Sequence, residues 1–259
     1  MLNRDIYNKP PKENRLVNNG VAEVSEDHSD AAQAILRYEL ESFVCDGQYE
    51  KGLETILDKF LLNLDAGTEQ PGVWISGFYG SGKSHLAKML RTLWTDYQFA
   101  DGATARSLAK LPTGVFEHLK ELSMQGRRHG TLHAAAGKLG AGAGDKVRLA
   151  LLGIVFKSKG LPEQYNQAQF VLWMTREGIL PTVEAELKSA GRSLVQELPH
   201  MYVSSHLAKA LLQARPGLAH TEADARKLLK EQFPQVTDVT SEQMTTAIAD
   251  ALSVDGKFP

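Results

Sequence analysis

The chain has 259 residues, of which 42% are hydrophobic and 23% charged, a composition that fits one large α/β domain or two smaller globular domains. Its net charge of -2 excludes a strong overall attraction to nucleic acid or anionic membranes, although it leaves a local basic patch open. The single cysteine, Cys45, excludes an internal disulfide and a cysteine-rich metal site, and it fits a reducing compartment.

Residues 1–70 predict a polar arm, a small hairpin and two helices that precede the main domain. An Asn-Gly pair at residues 19 and 20 lies between β-forming residues and predicts a tight turn. Ser29 predicts the N-cap of a first helix over about residues 30–45. A second helix is predicted by six apolar residues at helical spacing: Leu53, Ile56, Leu57, Phe60, Leu61 and Leu64.

The next segment predicts a strand, a glycine-rich loop and a helix in that order. Residues 72–76 are a short apolar run that favours a β-strand with Trp74 in the core. Beyond the loop, Leu86, Leu90, Leu93 and Tyr97 recur at the spacing of one helix face.

The loop itself matches the phosphate-binding pattern G-x-x-x-x-G-K-[ST] at every position. It consists of Gly77, Phe78, Tyr79, Gly80, Ser81, Gly82, Lys83 and Ser84. In this pattern the glycines let backbone N–H groups surround an anion, the lysine contacts the β- and γ-phosphates, and the hydroxyl of the last residue binds Mg²⁺. The sequence therefore predicts an ATP site at residues 77–84, with Lys83 as the phosphate contact and Ser84 as the Mg²⁺ ligand.

The residue pattern in the rest of the chain predicts mostly helices. A helical stretch reaches about residue 126, a basic turn covers residues 127–130, and residues 131–136 favour a second strand. A glycine-rich loop at 137–144 precedes an apolar helix over 145–156. From 164 to 252 the pattern is helical with breaks at prolines, including Pro181, and Thr221 and Thr240 begin capping-box patterns.

The predicted fold class of the whole chain is α/β. A P-loop NTPase (AAA+-like) core is predicted at 71–160, the hairpin and helix region before it at 1–70, and a helix-rich region at 161–259.

One element of a P-loop ATPase is absent from the sequence, namely an apolar strand that ends in Asp-Asp or Asp-Glu. Two expectations follow. The chain is either a fragment whose acidic strand lies beyond Pro259, or a protein that binds nucleotide without hydrolysing it.

Residues 72–85 read G-V-W-I-S-G-F-Y-G-S-G-K-S-H, which extends beyond the general motif. The run resembles the loop of the large P-loop ATPase of BREX (bacteriophage exclusion) systems, G-V-W-V-S-G-F-F-G-S-G-K-S-H. Residues 18–21 are similar to the I-N-G-V element of that family, and residues 38–44 to its E-L-x-x-[YF]-V pattern. The resemblance covers residues 18–93 and implies an AAA+-like ATPase that acts against phage together with a DNA methyltransferase and other defence proteins.

Several alternatives stay open at this stage. The chain could be a nucleotide-sensing scaffold or a P-loop kinase, although a kinase needs an arginine-rich lid that Arg127 and Arg128 alone do not supply. Phe78 and Tyr79 could contact another subunit, cover the nucleotide or pack locally. A homo-oligomer and a contact with DNA are both compatible with the sequence.

Residues 1–11 lack the apolar core of a signal peptide, and the apolar run at residues 149–156 is too short to span a bilayer. We therefore expect a cytoplasmic protein outside the membrane.

Overall fold

The computed structural model describes residues 29–66, 72–139 and 146–253 of the chain. The chain divides into two compact units, Met1–Ala136 and Gly137–Pro259, and each unit has its own hydrophobic core. In the parts of the chain that the structure describes, no helix is long and apolar enough to cross a membrane. The predicted regions 1–70, 71–160 and 161–259 stay a prediction of domain organisation.

The first unit contains five described helices. They are α1 (Asp30–Glu41), α2 (Gly47–Ala66), α3 (Lys83–Trp94), α4 (Ala105–Leu108) and α5 (Thr113–His129). Ser29 caps α1 as the sequence predicts, because its side chain accepts a hydrogen bond from the Ala32 amide at 3.3 Å. The apolar face of α2 packs against α5, and both contribute buried leucines to one core with Leu86, Met89 and Leu93 of α3.

The second unit is a cluster of helices around Phe156, Phe170 and Met174, all fully buried. Its helices are α6 (Val147–Ser158), α7 (Tyr165–Arg176), α8 (Leu180–Ser189), α9 (Leu194–Glu197), a 3-10 turn (Leu198–His200), α10 (Ser205–Ala214), α11 (Glu222–Gln232) and α12 (Ser241–Leu252). The capping box predicted at Thr240 is confirmed, since its hydroxyl accepts from the Gln243 amide while the Gln243 side chain accepts from the Thr240 amide.

The predicted α/β fold class is wrong for the described residues, which are helical and contain no sheet. The nearest approach to a sheet is one isolated antiparallel bridge between Gln98 and Thr104. Residues 72–76 and 131–136, predicted as two core strands, have no assigned strand structure. Short apolar runs favour an extended backbone, but a sheet forms only where a second strand supplies the hydrogen bonds. Neither run has such a partner within the described ranges.

Two further expectations need correction. Trp74 was expected in the core, but it is 90% exposed because no second layer covers residues 72–76 among the described residues. Residues 127–129 belong to the last turn of α5, and Gly130, with φ of 132°, ends that helix. The helical pattern is interrupted near Pro181 as the sequence predicts, since α7 ends at Arg176 and α8 begins at Leu180. Pro181 lies in the first turn of α8, where a missing N–H costs nothing. The predicted hairpin at residues 16–24 lies outside the described residues.

Candidate phosphate-binding loop

The loop at residues 77–84 forms a turn that leads directly into α3. The Ser81 amide donates to the Phe78 carbonyl at 3.2 Å and closes the turn. Gly82 has a φ of 80° and is the N-cap of α3, which begins at Lys83. A φ in this range is strained for any residue with a side chain, so the backbone at position 82 favours glycine.

The Lys83 ammonium lies over the loop and holds it in shape. Its Nζ donates hydrogen bonds to the Gly77 carbonyl at 2.8 Å and to the Phe78 carbonyl at 2.7 Å, and it lies 3.5 Å from Ser81 Oγ. All three contacts are solvent-exposed, so the ammonium can exchange these partners for an anion at small cost.

Close contacts explain two of the loop glycines. A Cβ on Gly77 would lie 2.7 Å from Ser81 Oγ, and a Cβ on Gly82 would clash with the Tyr49 hydroxyl. The loop therefore folds tightly enough that a side chain at either position would force its neighbours to move.

Tyr49, at the start of α2, connects the loop to the helices that precede it. Its hydroxyl donates to the Ser81 carbonyl at 2.6 Å. Its ring packs edge-on against Phe43, with centroids 6.4 Å apart. Sequence reasoning missed this residue, because a tyrosine 32 positions before its partner carries no local signal of the contact.

Phe43 also contacts His85, the third residue of α3, with ring centroids 5.7 Å apart. Burial lowers the pKa of the His85 imidazole, with a smaller opposing effect from Glu39 and a small lowering effect from Lys88. The aromatic contacts of Phe43 therefore join the first turn of α3 to the segment between α1 and α2.

Glu39 of α1 and Lys88 of α3 form a buried ion pair beside this ring cluster. Lys88 Nζ lies 2.6 Å from Glu39 Oε2, and among the described residues neither carboxylate oxygen accepts a hydrogen bond of regular geometry. The short distance, the buried Glu39 carboxylate and the largely covered Lys88 side chain make the contact an ion pair that fixes α1 to α3.

The start of α3 has the electrostatic features of an anion site. Gly82 offers no side chain to the first-turn amides, and the N-terminus of a helix carries a partial positive charge. Ser84 is exposed in that first turn, so its hydroxyl can serve as one ligand of an Mg²⁺ ion that arrives with nucleotide phosphates. Among the described residues, no group of three or more His, Cys, Asp and Glu side chains could hold a metal ion without a nucleotide.

Aromatic side chains project from the loop into solvent. Phe78 is 91% exposed and Tyr79 is 96% exposed. Local packing of these two rings, one of the alternatives that the sequence left open, therefore does not occur in the described structure. Trp74 and Val73 are exposed on the segment just before the loop, so exposed apolar side chains occur in the loop and in the residues that precede it.

The other residues singled out in the sequence lie apart from a formed site. Arg127 and Arg128 are exposed on α5, and Arg128 Nη1 lies 3.5 Å from Gln125 Oε1. Of the glycine-rich loop at 137–144, the structure describes residues 137–139; Gly137 lies so close to Ile154 that a Cβ would approach its side chain to 2.6 Å. Cys45 is buried, and burial together with nearby carboxylates raises the pKa of its thiol to about 11, which makes it a poor nucleophile.

No protein-family model matches the chain, and no solved structure gives a significant match to its fold.

Proposed function

We propose that this chain binds ATP through residues 77–84. The observation that carries the proposal is the position of the Lys83 ammonium over a glycine turn at the start of α3, where backbone amides and a helix N-terminus favour an anion. The complete match to the phosphate-binding pattern supports it independently. The proposal concerns the loop and α3 and does not depend on a sheet.

In this proposal each residue has a separate role. Lys83 exchanges its two carbonyl partners for the β- and γ-phosphates, and the amides of the turn and of the first turn of α3 donate to phosphate oxygens. The Ser84 hydroxyl binds the Mg²⁺ that accompanies the nucleotide. Tyr49 keeps the loop in place through its hydrogen bond to the Ser81 carbonyl.

We further propose that the chain acts in a BREX-type antiphage defence system. The support is the similarity of residues 72–85 to the loop of the BREX ATPase. This proposal includes a cytoplasmic location and assembly with other defence proteins, among them a DNA methyltransferase. Hydrolysis is not proposed for residues 1–259 alone, since they contain no apolar strand that ends in paired acidic residues.

The direct test of ATP binding is calorimetric titration of the wild-type chain and the Lys83→Ala variant with Mg-ATP. We expect the variant to lose affinity by about tenfold or more, because it removes a charge-assisted phosphate contact. Its fold should be unchanged, since Lys83 donates only exposed hydrogen bonds.

Lys59→Ala is the matched control, because Lys59 is an exposed lysine on α2 of the same unit. Equal ATP affinity in wild type, Lys83→Ala and Lys59→Ala would contradict the assignment of the site.

Incubation with γ-labelled ATP distinguishes the alternative functions. Transfer of the label to an added acceptor indicates a kinase, and ATP binding without turnover indicates a nucleotide sensor.

A further inference from the structure

An open groove in the second unit lies beside α11, far along the chain from the loop at residues 77–84. Its volume is about 530 Å³, within the range of sites that hold a small ligand or part of a larger one. The residues that line it are Tyr202, Val203, Ala223, Arg226, Lys227 and Lys230. Three of these carry a positive charge and none carries a negative charge.

The three cations share one face of α11 because of their spacing. Arg226, Lys227 and Lys230 occupy positions i, i+1 and i+4, while Ala225 and Leu229 face the core and are fully buried. Arg226 and Lys230 are separated by about 6 Å along the helix axis. Two cations at that separation can contact two different phosphates of one strand, which a single phosphate ion does not allow.

Acidic residues of α11 do not neutralise this face. Glu222 lies 3.8 Å from Lys209 of α10, and Asp224 accepts a hydrogen bond from the Thr221 hydroxyl. Glu231 lies 3.9 Å from Lys227, but both side chains are mostly exposed and such a pair contributes little.

Lys227 can exchange its weak, exposed pair with Glu231 for a phosphate, so all three cations are available to a ligand. Arg226 donates to the neutral Ser205 hydroxyl at 3.0 Å. Within the described residues, neither Arg226 nor Lys230 forms an ion pair with a carboxylate.

The other wall of the groove is apolar and fixed in position. The Tyr202 hydroxyl donates to the Phe233 carbonyl at 2.5 Å and accepts from Asn166 Nδ2 at 2.7 Å, which holds the ring beside the groove. Val203 next to it is exposed. Cations for a phosphate backbone beside an apolar and aromatic surface are the combination with which proteins bind single-stranded nucleic acid.

We propose that the groove beside α11 binds single-stranded nucleic acid, with Arg226, Lys227 and Lys230 contacting successive phosphates. Its volume accommodates a segment of one strand. Because the overall charge is -2, the rest of the surface provides no general attraction and binding stays local to this groove. Binding weakens at high salt because it depends on contacts between cations and phosphates.

The test is the fluorescence anisotropy of a labelled DNA single strand of about 16 nucleotides, titrated with the full chain at several salt concentrations. All proteins carry Lys83→Ala, so that the loop cannot contribute a phosphate contact. The test variant adds Lys227→Gln and Lys230→Gln. The control variant adds Lys157→Gln and Lys188→Gln, which remove the same charge from α6 and α8, outside the groove.

We expect the groove variant to bind the strand about tenfold or more weakly than its parent. The slope of log K against log salt should become shallower by about 1.4, which is about 0.7 for each of the two lost phosphate contacts. The control variant should behave like its parent. Circular dichroism checks that all variants keep their helices.

Four results would overturn the proposal. One is absence of binding by the parent at low salt, and another is an equal loss of affinity in the groove and control variants. The third is a preference for duplex DNA over the single strand. The fourth is equally effective competition by inorganic triphosphate at matched phosphate concentration, which would assign the groove to another anion. None of these results bears on ATP binding at residues 77–84, because Lys83 is already replaced.

Discussion

His85 shows how one partly buried side chain makes the stability of the first unit depend on pH. Its imidazole packs against Phe43 in the first turn of α3, and burial lowers its pKa below the usual value of about 6.5. A histidine with a lowered pKa binds fewer protons in the folded state than in the unfolded state. Its contribution to stability is therefore present above the ordinary pKa and is lost as pH falls through it towards the folded pKa.

We expect the urea midpoint of the wild-type chain to fall more steeply between about pH 7 and pH 5 than that of a His85→Phe variant. Phenylalanine keeps a ring against Phe43 but cannot take up a proton. Chemical denaturation followed by circular dichroism at several pH values measures the difference. Identical pH dependence in the two proteins would show that His85 is protonated equally in the folded and unfolded states.

The residues of the candidate site were predictable to different degrees. The pattern at 77–84 is a local one, so the sequence identifies Lys83 and Ser84, and the structure places both at the start of α3. Tyr49 and Glu39 come from other helices, and their contacts depend on how α1, α2 and α3 pack. No spacing rule within the sequence contains that information.

At the scale of elements, the C-terminal end of α3 depends on Arg106 of α4. The Arg106 guanidinium donates to the carbonyls of Leu93, Trp94 and Leu119 at 2.7 to 2.9 Å and to the Ser123 hydroxyl at 2.6 Å. The last carbonyls of a helix have no partner within the helix, and a cation there also interacts favourably with the helix dipole. This side chain therefore joins the end of α3 to α5.

Replacing Arg106 with methionine should destabilise the chain by about 2–4 kcal/mol, because it removes four partly buried hydrogen bonds to α3 and α5. Lys110→Met is the control, since Lys110 is exposed and lies four residues further along the chain. Urea denaturation of both variants measures the change. A loss below about 0.5 kcal/mol for Arg106→Met would show that water satisfies these carbonyls equally well.

Helices were predictable from the sequence and strands were not, for a physical reason. The apolar series of α2 and α3 and the caps at Ser29 and Thr240 are formed within one stretch of chain, so a local pattern describes them. A strand at residues 72–76 would need hydrogen bonds from a distant segment, and the described residues contain no such partner. The apolar composition of that run was consistent with a strand but could not establish a sheet.

At the scale of the molecule, the two units have different chemical features. The first carries the glycine loop with Lys83, and the second carries the basic groove beside α11. The sequence predicts the first because it matches a known phosphate-binding pattern. It leaves the second unrecognised, because Tyr202 and Arg226 come together only when the unit folds.

The most direct test of ATP binding is hydrogen–deuterium exchange of the wild-type chain with and without Mg-ATP. If backbone amides of the loop and the first turn of α3 hold the phosphates, ATP should slow exchange in peptides that cover residues 80–85, and the Lys83→Ala variant should show no such protection. Tight ATP binding by the wild-type chain with unchanged exchange in those peptides, or with protection confined to other segments, would contradict the account.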